Sequence, residues 1–231
     1  MHNLCIIPAR GGSKRIPRKN IRHFLGKPII AYSIDTAITS KLFDNVIVST
    51  DDEEIASVAR KHGAIVPFKR SERNSDDYAT TAQVIEEVLS NFSDANSHFD
   101  NVCCLYPTAP LVLKDDLIAG YDTLKNGGYD SVFPVVAFGY PVWRGLRIDD
   151  TGRIRMIWPE NLNKRSQDLE EMYHDAGQWY WLTSGAFKRN LALYTSNSYP
   201  IVLDDLHVQD IDNLSDWKLA ELKFKIINNE L

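Results

Sequence analysis

The chain has 231 residues and a formal net charge of −5, with 44% of residues apolar and 25% charged. That length and apolar content suit one large α/β domain with a sizeable core, and the acidic balance excludes bulk attraction to nucleic acid. No apolar run approaches the roughly 20 residues that cross a bilayer, and the opening MHNLCIIPAR lacks the regions of a secretion signal, so no membrane role and a cytoplasmic location are expected.

Residues 4–8 read as a buried strand. A helix is predicted over 28–40, with Ile30, Ile34, Ala37 and Ile38 on one face. A strand over 46–49 precedes TDDEE, where Asp51 and Asp52 read as helix-cap residues. Short strand 65–67, helix 80–92, strand 102–106, helix 114–125 and strand 131–136 follow. This alternation implies βαβ units and a mostly parallel sheet, whose ligands belong at the carboxyl ends of the strands. Cys5, Cys103 and Cys104 fall in apolar runs without a CxxC pair and read as buried thiols.

The pattern changes in an insert over 139–173. Alternating stretches around 143–148 and 152–158 flank Asp149-Asp150-Thr151-Gly152, which predicts a β-hairpin. The insert is either an arm that packs on a partner subunit or a plain surface excursion. Trp143, Trp158, Trp179 and Trp181 read as core or interface aromatics, and helix returns over 213–228. One domain over 1–231 is expected.

The segment PARGGSKRIPRKN carries Arg10, Lys14, Arg15, Arg18 and Lys19, with Arg22 just beyond. Gly11 and Gly12 free the backbone to turn. Cations and exposed N–H groups after a buried strand make an anion cradle suited to a triphosphate. The spacing matches neither GxxxxGK[ST] nor GxGxxG. At the other end of the chain, VQDID sets Asp210 and Asp212 two apart, on one face if extended. Two carboxylates completed by phosphate oxygens and water suit Mg²⁺. An acidic helix start is the alternative, and Asp204 and Asp205 read as a surface turn.

IIPARGGSKRIPRKNI, LGKPIIAYSI, VIVSTDDEEIA, YPTAP and VQDID follow one another in this order. Together they resemble the acylneuraminate cytidylyltransferase family over nearly the whole chain. RSERNSDDYATT, MIWPEN, RSQDLEEMYHDAGQWYW and VQDIDNLSDWKLAELK look like the pseudaminic acid cytidylyltransferases within it. The resemblance implies a twisted α/β domain of the nucleotide-diphospho-sugar transferase type, flanked by helices and usually homodimeric. It implies CMP transfer from CTP to an acidic keto sugar with Mg²⁺. It carries nucleotide contacts onto Arg10, Ser13, Lys14, Lys19, Asn20, Arg70 and Thr81, and metal ligation onto Asp210 and Asp212. Lys14 and Lys19 are then expected at the phosphates, with Arg10 and Lys19 the catalytic candidates.

The departures lie on the sugar side. Tyr106 stands where relatives often carry glutamine, and HDAGQW (174–179) replaces an NGA-type stretch. Tyr106, His174, Asp175 and Gln178 are therefore candidate sugar contacts. Arg144 and Arg165 are candidates for the sugar carboxylate, although Arg165 has surface partners in Asp168 or Glu170. Pseudaminic acid is the expected acceptor. N-acetylneuraminic, legionaminic and deoxyoctulosonic acids are the alternatives within the chemistry, and a non-catalytic nucleotide-binding module is the alternative outside it.

Overall fold

The computed structural model describes residues 1–230. Strand β1 (Asn3–Pro8) leads through the basic loop to a small hairpin, β2 (His23–Phe24) and β3 (Lys27–Pro28), and then to helix α1 (Ile29–Ser40). Pro28 caps α1 rather than opening its first turn, and residues 41–44 carry the chain into β4 (Asn45–Ser49). Helix α2 (Glu53–Lys61) starts on Asp52, whose carboxylate accepts the Ile55 N–H at 3.0 Å. Helix α3 (Thr81–Asp94) starts on a capping box between Thr80 and Gln83. Strand β5 (Asn101–Leu105), α4 (Lys114–Gly127) and β6 (Ser131–Ala137) complete the alternating half.

The later part departs from the expected pattern. The hairpin lies at β7 (Leu146–Ile148) and β8 (Ile154–Met156), followed by β9 (Tyr173–Asp175), β10 (Trp179–Thr183), α5 (Ser184–Asn190), β11 (Ser198–Val202) and α6 (Leu214–Ile227). The sheet runs β11-β6-β10-β5-β1-β4, with β9 added alongside β6. β1 is parallel to β4 and β5, and β11 to β6, whereas β10 is antiparallel to β5 and β6 and β9 is antiparallel to β6. The sheet is thus mixed and mostly parallel. The strand expected over 65–67 is reduced to a bridge between Ile47 and Ile65.

Alternation along each strand supplies a separate apolar layer to each face. Cys5, Ile7, Val48, Cys103, Leu105, Trp179 and Trp181 pack under α1, α2 and α4. Leu4, Ile6, Val102, Cys104, Tyr180 and Leu182 pack under α3 and α5. Gly120 lets α4 approach, since a Cβ there would meet the Trp179 ring at 2.5 Å. All three cysteines are buried free thiols, raised in pKa by loss of solvent. A further cluster matters more for function. Ile16 of the basic loop and Ile211 of the acidic segment both insert among Phe24, Ile29, Trp217 and Ala220. One small core therefore fixes two functional segments that are far apart in sequence. No helix among the described residues is long and apolar enough to cross a membrane.

Candidate active site

The basic loop leaves the carboxyl end of β1 and is tied at both ends. The Ala9 N–H donates to the Ser49 carbonyl at 2.9 Å, and the buried Asn20 amide donates to the Arg10 carbonyl at 2.9 Å. Gly11 is dictated by crowding: a Cβ there would meet the Asp52 carboxylate at 2.7 Å, whereas Gly12 faces open space. Asp51, expected as a helix cap, accepts the Gly11 N–H at 3.0 Å instead, because Asp52 alone occupies the N-cap. Ser13 closes a tight turn, its N–H donating to the Gly11 carbonyl at 3.1 Å. Arg18 sits in the left-handed region at φ 56°, a conformation that costs energy for a side chain of this size. Its fork grips Asp52 at 2.5 and 2.9 Å and also meets Glu54. That fork holds the Asp52 carboxyl down to about 2.

Arg10, Lys14 and Arg15 pair with carboxylates, whereas Lys19 meets a backbone carbonyl. Arg10 Nη1 donates to the Asp76 carbonyl at 2.7 Å and to Asp77 Oδ1 at 2.8 Å, and Lys14 binds the same Asp77 carboxylate. Arg10 and Lys14 thus converge on a single anionic group, a geometry that a phosphate shares. Lys19 Nζ donates to the Ile211 carbonyl at 2.7 Å, and Arg15 pairs with Asp212 at 2.7 Å. These contacts bring VQDID against the basic loop. Burial lowers the Lys19 pKa, and the carboxylates of Asp212 and Asp210 partly restore it. Asp210 is shifted upward by loss of solvent and then by Asp212, against the pull of Lys19.

A bound cation relieves the cost of ionising Asp210 beside Asp212, and oxygen donors suit a hard divalent one. Among the described residues no group of three or more His, Cys, Asp or Glu side chains is arranged to hold a metal. The pair would therefore share any such ion with phosphate oxygens and water.

Arg70 is buried against Ser49 at the end of β4. It donates through Nε to Ser49 Oγ at 3.0 Å and through Nη2 to the Ser49 carbonyl, and burial pulls its pKa down to about 10. Thr81, in the first turn of α3, lies 3.0 Å from the Tyr106 hydroxyl. Burial pushes that phenol up to about 12, and its ring meets Tyr180 edge-on at 5.6 Å. The Tyr180 hydroxyl donates to Asp175 at 2.6 Å. Thr81, Tyr106 and Asp175 are thus joined through Tyr180. The Gln178 carbonyl accepts the Tyr106 N–H at 2.8 Å, but its buried side-chain amide donates to the His207 carbonyl at 2.6 Å. His174 is exposed on β9 and packs on Phe138.

Arg144 and Arg165 lie on the insert, apart from these groups. Arg165 forks onto Asp168 at 2.8 and 2.9 Å. None of the insert's hydrogen bonds or ion pairs among the described residues reaches the basic loop or residues 208–212. Sequence reasoning missed Asp76 and Asp77. Their signal was the SDDY run ahead of the Thr80 cap, which reads as an ordinary polar loop.

A parallel-strand edge carrying a cation-lined loop, with a carboxylate pair brought against it, defines the class: an α/β nucleotidyltransferase, an enzyme. A family model described as cytidylyltransferase matches residues 4–196, and the chain belongs to that family. A pseudaminic acid cytidylyltransferase from Campylobacter jejuni is 44% identical over 226 residues, covering 98% of this chain and 97% of that one. A CMP-N,N'-diacetyllegionaminic acid synthase from Legionella pneumophila is 34% identical over 239 residues, covering 100% and 99%. The fold is also that of a solved CMP:2-keto-3-deoxy-manno-octonic acid synthetase complexed with CTP, at TM-score 0.69, 15% identity and full coverage of both chains.

Proposed function

We propose that the chain transfers CMP from CTP to the anomeric hydroxyl of pseudaminic acid, releasing pyrophosphate. The observation that carries this reading is the meeting of the basic loop with Asp210 and Asp212, made by Lys19 and Arg15. The choice of sugar rests on the 44% identity to the Campylobacter jejuni enzyme over nearly the whole chain.

In the reaction the sugar oxygen bonds to the α-phosphorus, the bond to the β-phosphate oxygen breaks, and the hydroxyl proton is lost. The protein's part is positioning and charge neutralisation. Arg10 and Lys14, which already share one anion, would exchange Asp77 for phosphate oxygens. Arg10 and Lys19 would meet the charge that grows at the reacting phosphoryl group, a role worth about 3–4 kcal/mol of barrier for one preorganised donor. Gly11, Gly12, Ser13 and Asn20 shape the loop, and Arg70 supports it through Ser49. Asp210 and Asp212 would hold Mg²⁺, which supplies further neutralisation of the triphosphate when bound.

Tyr106 and Asp175 are the best-placed candidates for sugar contact, with His174 at the rim. Gln178 is less free, because its amide is committed to His207. Arg144 and Arg165 would serve the sugar carboxylate only across a homodimer. The insert supports such a dimer: Leu146, Ile148 and Ile154 are 61, 75 and 68% exposed on a hairpin too short to stand alone. Three unpaired buried thiols suit the reducing cytoplasm. The test is product identification. CTP, Mg²⁺ and pseudaminic acid are expected to give a mass equal to the CMP conjugate. Its absence, with a conjugate formed from another acidic sugar, would overturn the choice of acceptor.

A further inference from the structure

Lys223 lies on the inward face of α6, three residues after Ala220 and six after Trp217, yet it carries a charge. It is 9% exposed, and its ammonium donates to the carbonyls of Asp205 and Val208, each at 2.7 Å, with the Asp205 carboxylate at 3.2 Å. These carbonyls belong to the short helical turn Asp205–His207 and the residue after it. The turn is built from its own contacts: the Asp204 carboxylate accepts the Leu206 N–H at 2.8 Å, and the Val208 N–H donates to the Asp205 carbonyl at 3.1 Å. The Val208 carbonyl has no partner within the turn and the Asp205 carbonyl has a lone pair to spare, and an ammonium with three donors meets both. Gln178, from the sheet side, takes the His207 carbonyl between them.

Asp210 comes two residues after Val208. Residues 208–212 belong to no strand, so no ladder fixes them. Their supports include the buried Val208 and Ile211 side chains, the Lys19 bond to the Ile211 carbonyl, the Arg15 pair with Asp212, the Asp212 N–H bond to the Asp216 carboxylate at 2.9 Å, and the clamp on the turn just before them. Lys19 and Arg15 belong to the substrate site; of the scaffold's own supports, Ile211 and Asp216 act at and after Asp210, and the clamp holds the chain just before it. An apolar residue would fill the Lys223 position without the cost of burying a charge. The charge therefore answers a local requirement that hydrophobic packing cannot meet.

We propose that Lys223 is a positioning residue for the carboxylate pair, holding turn 205–208 so that Asp210 and Asp212 face the basic loop. This rests on the reading that the pair holds the metal. The test uses the intact chain with Lys223→Met and Lys223→Gln, the latter keeping one donor. Lys223→Met is expected to raise the half-saturating Mg²⁺ concentration for turnover about tenfold and to weaken Mn²⁺ binding, read by electron paramagnetic resonance with CTP present, by a similar factor. Lys223→Gln is expected to recover part of both shifts. A lower melting temperature with unchanged metal midpoints would mean that Lys223 only stabilises the fold, and would overturn the proposal.

Should Lys223→Met fail to fold, Lys223→Gln is read by the same criteria. Amide exchange on the wild type needs no substitution: the Val208 amide is expected to be protected, and exchange at the unprotected rate overturns the clamp. Asp210→Ala separates the two readings. Unchanged turnover there overturns the metal reading, whereas reduced turnover beside an unchanged Lys223→Met midpoint overturns only the positioning role.

Discussion

Ile211→Ala removes the side chain that seats the carboxylate pair against the basic loop. Ile211 is fully buried, and it shares its cluster with Ile16, Phe24, Ile29, Trp217 and Ala220. Truncating such an isoleucine costs about 3 kcal/mol through lost transfer energy and the cavity left behind. In a chain of 231 residues that lowers the melting temperature by about 6–12 °C. Lost stability alone would not reveal misalignment, so the comparison is Leu124→Ala, a buried truncation on the inward face of α4. Both variants are expected to lose similar stability in urea titrations. Measured well below both melting points, kcat for Ile211→Ala is expected to fall about tenfold or more, because small misplacements of reacting groups are costly, while Leu124→Ala keeps near wild-type turnover. Equal kcat values for the two would refute the idea that this small core aligns the site.

Asp210 has its pKa raised in the folded chain, so its ionised form opposes folding above that pKa, and the penalty fades as pH falls through it. Asp210→Asn should therefore melt higher than wild type at pH 7 without ligand, and yet lose about 100-fold or more in turnover. Gly11→Ala places a Cβ 2.7 Å from the Asp52 carboxylate and should raise the KM for CTP, whereas Gly12→Ala, in open space, should leave it within about twofold. Asp52 is held at about 2 against an ordinary 3.8, so its pair with Arg18 stabilises the fold above pH 3.8 and the contribution is lost as pH falls towards 2. Asp52→Asn keeps the cap acceptor but loses the ion pair, and should cost about 1–2 kcal/mol at pH 7 and flatten the acid limb of the stability profile.

The first half of the fold was legible because local signals agree there. Apolar runs, the Asp52 and Thr80 caps and the inward faces of α1 and α3 all point to βαβ units. The second half was less legible for reasons visible in particular residues. β10 reads WYWLT, an aromatic run buried on both faces, and nothing local reveals that it inserts antiparallel between β5 and β6. β11 is an edge strand whose Tyr199 and Val202 are exposed, so its pattern carries no inward face. The cations and carboxylates of the site were legible as residue types after strands. Their pairing was not: Asp51 binding Gly11, Asp77 bridging Arg10 and Lys14, and Ile16 meeting Ile211 are all contacts between distant segments. Lys223 had a signal, a lysine spaced to fall among Trp217, Ala220 and Phe224, but it sits in a lysine-rich helix where one more charge looks ordinary.

The most direct test of the central claim is kcat/KM, from pyrophosphate release with saturating CTP and Mg²⁺, for pseudaminic, legionaminic, N-acetylneuraminic and deoxyoctulosonic acids. Pseudaminic acid is expected to exceed each of the others by about tenfold or more. A higher value for any of the other sugars would contradict the claim.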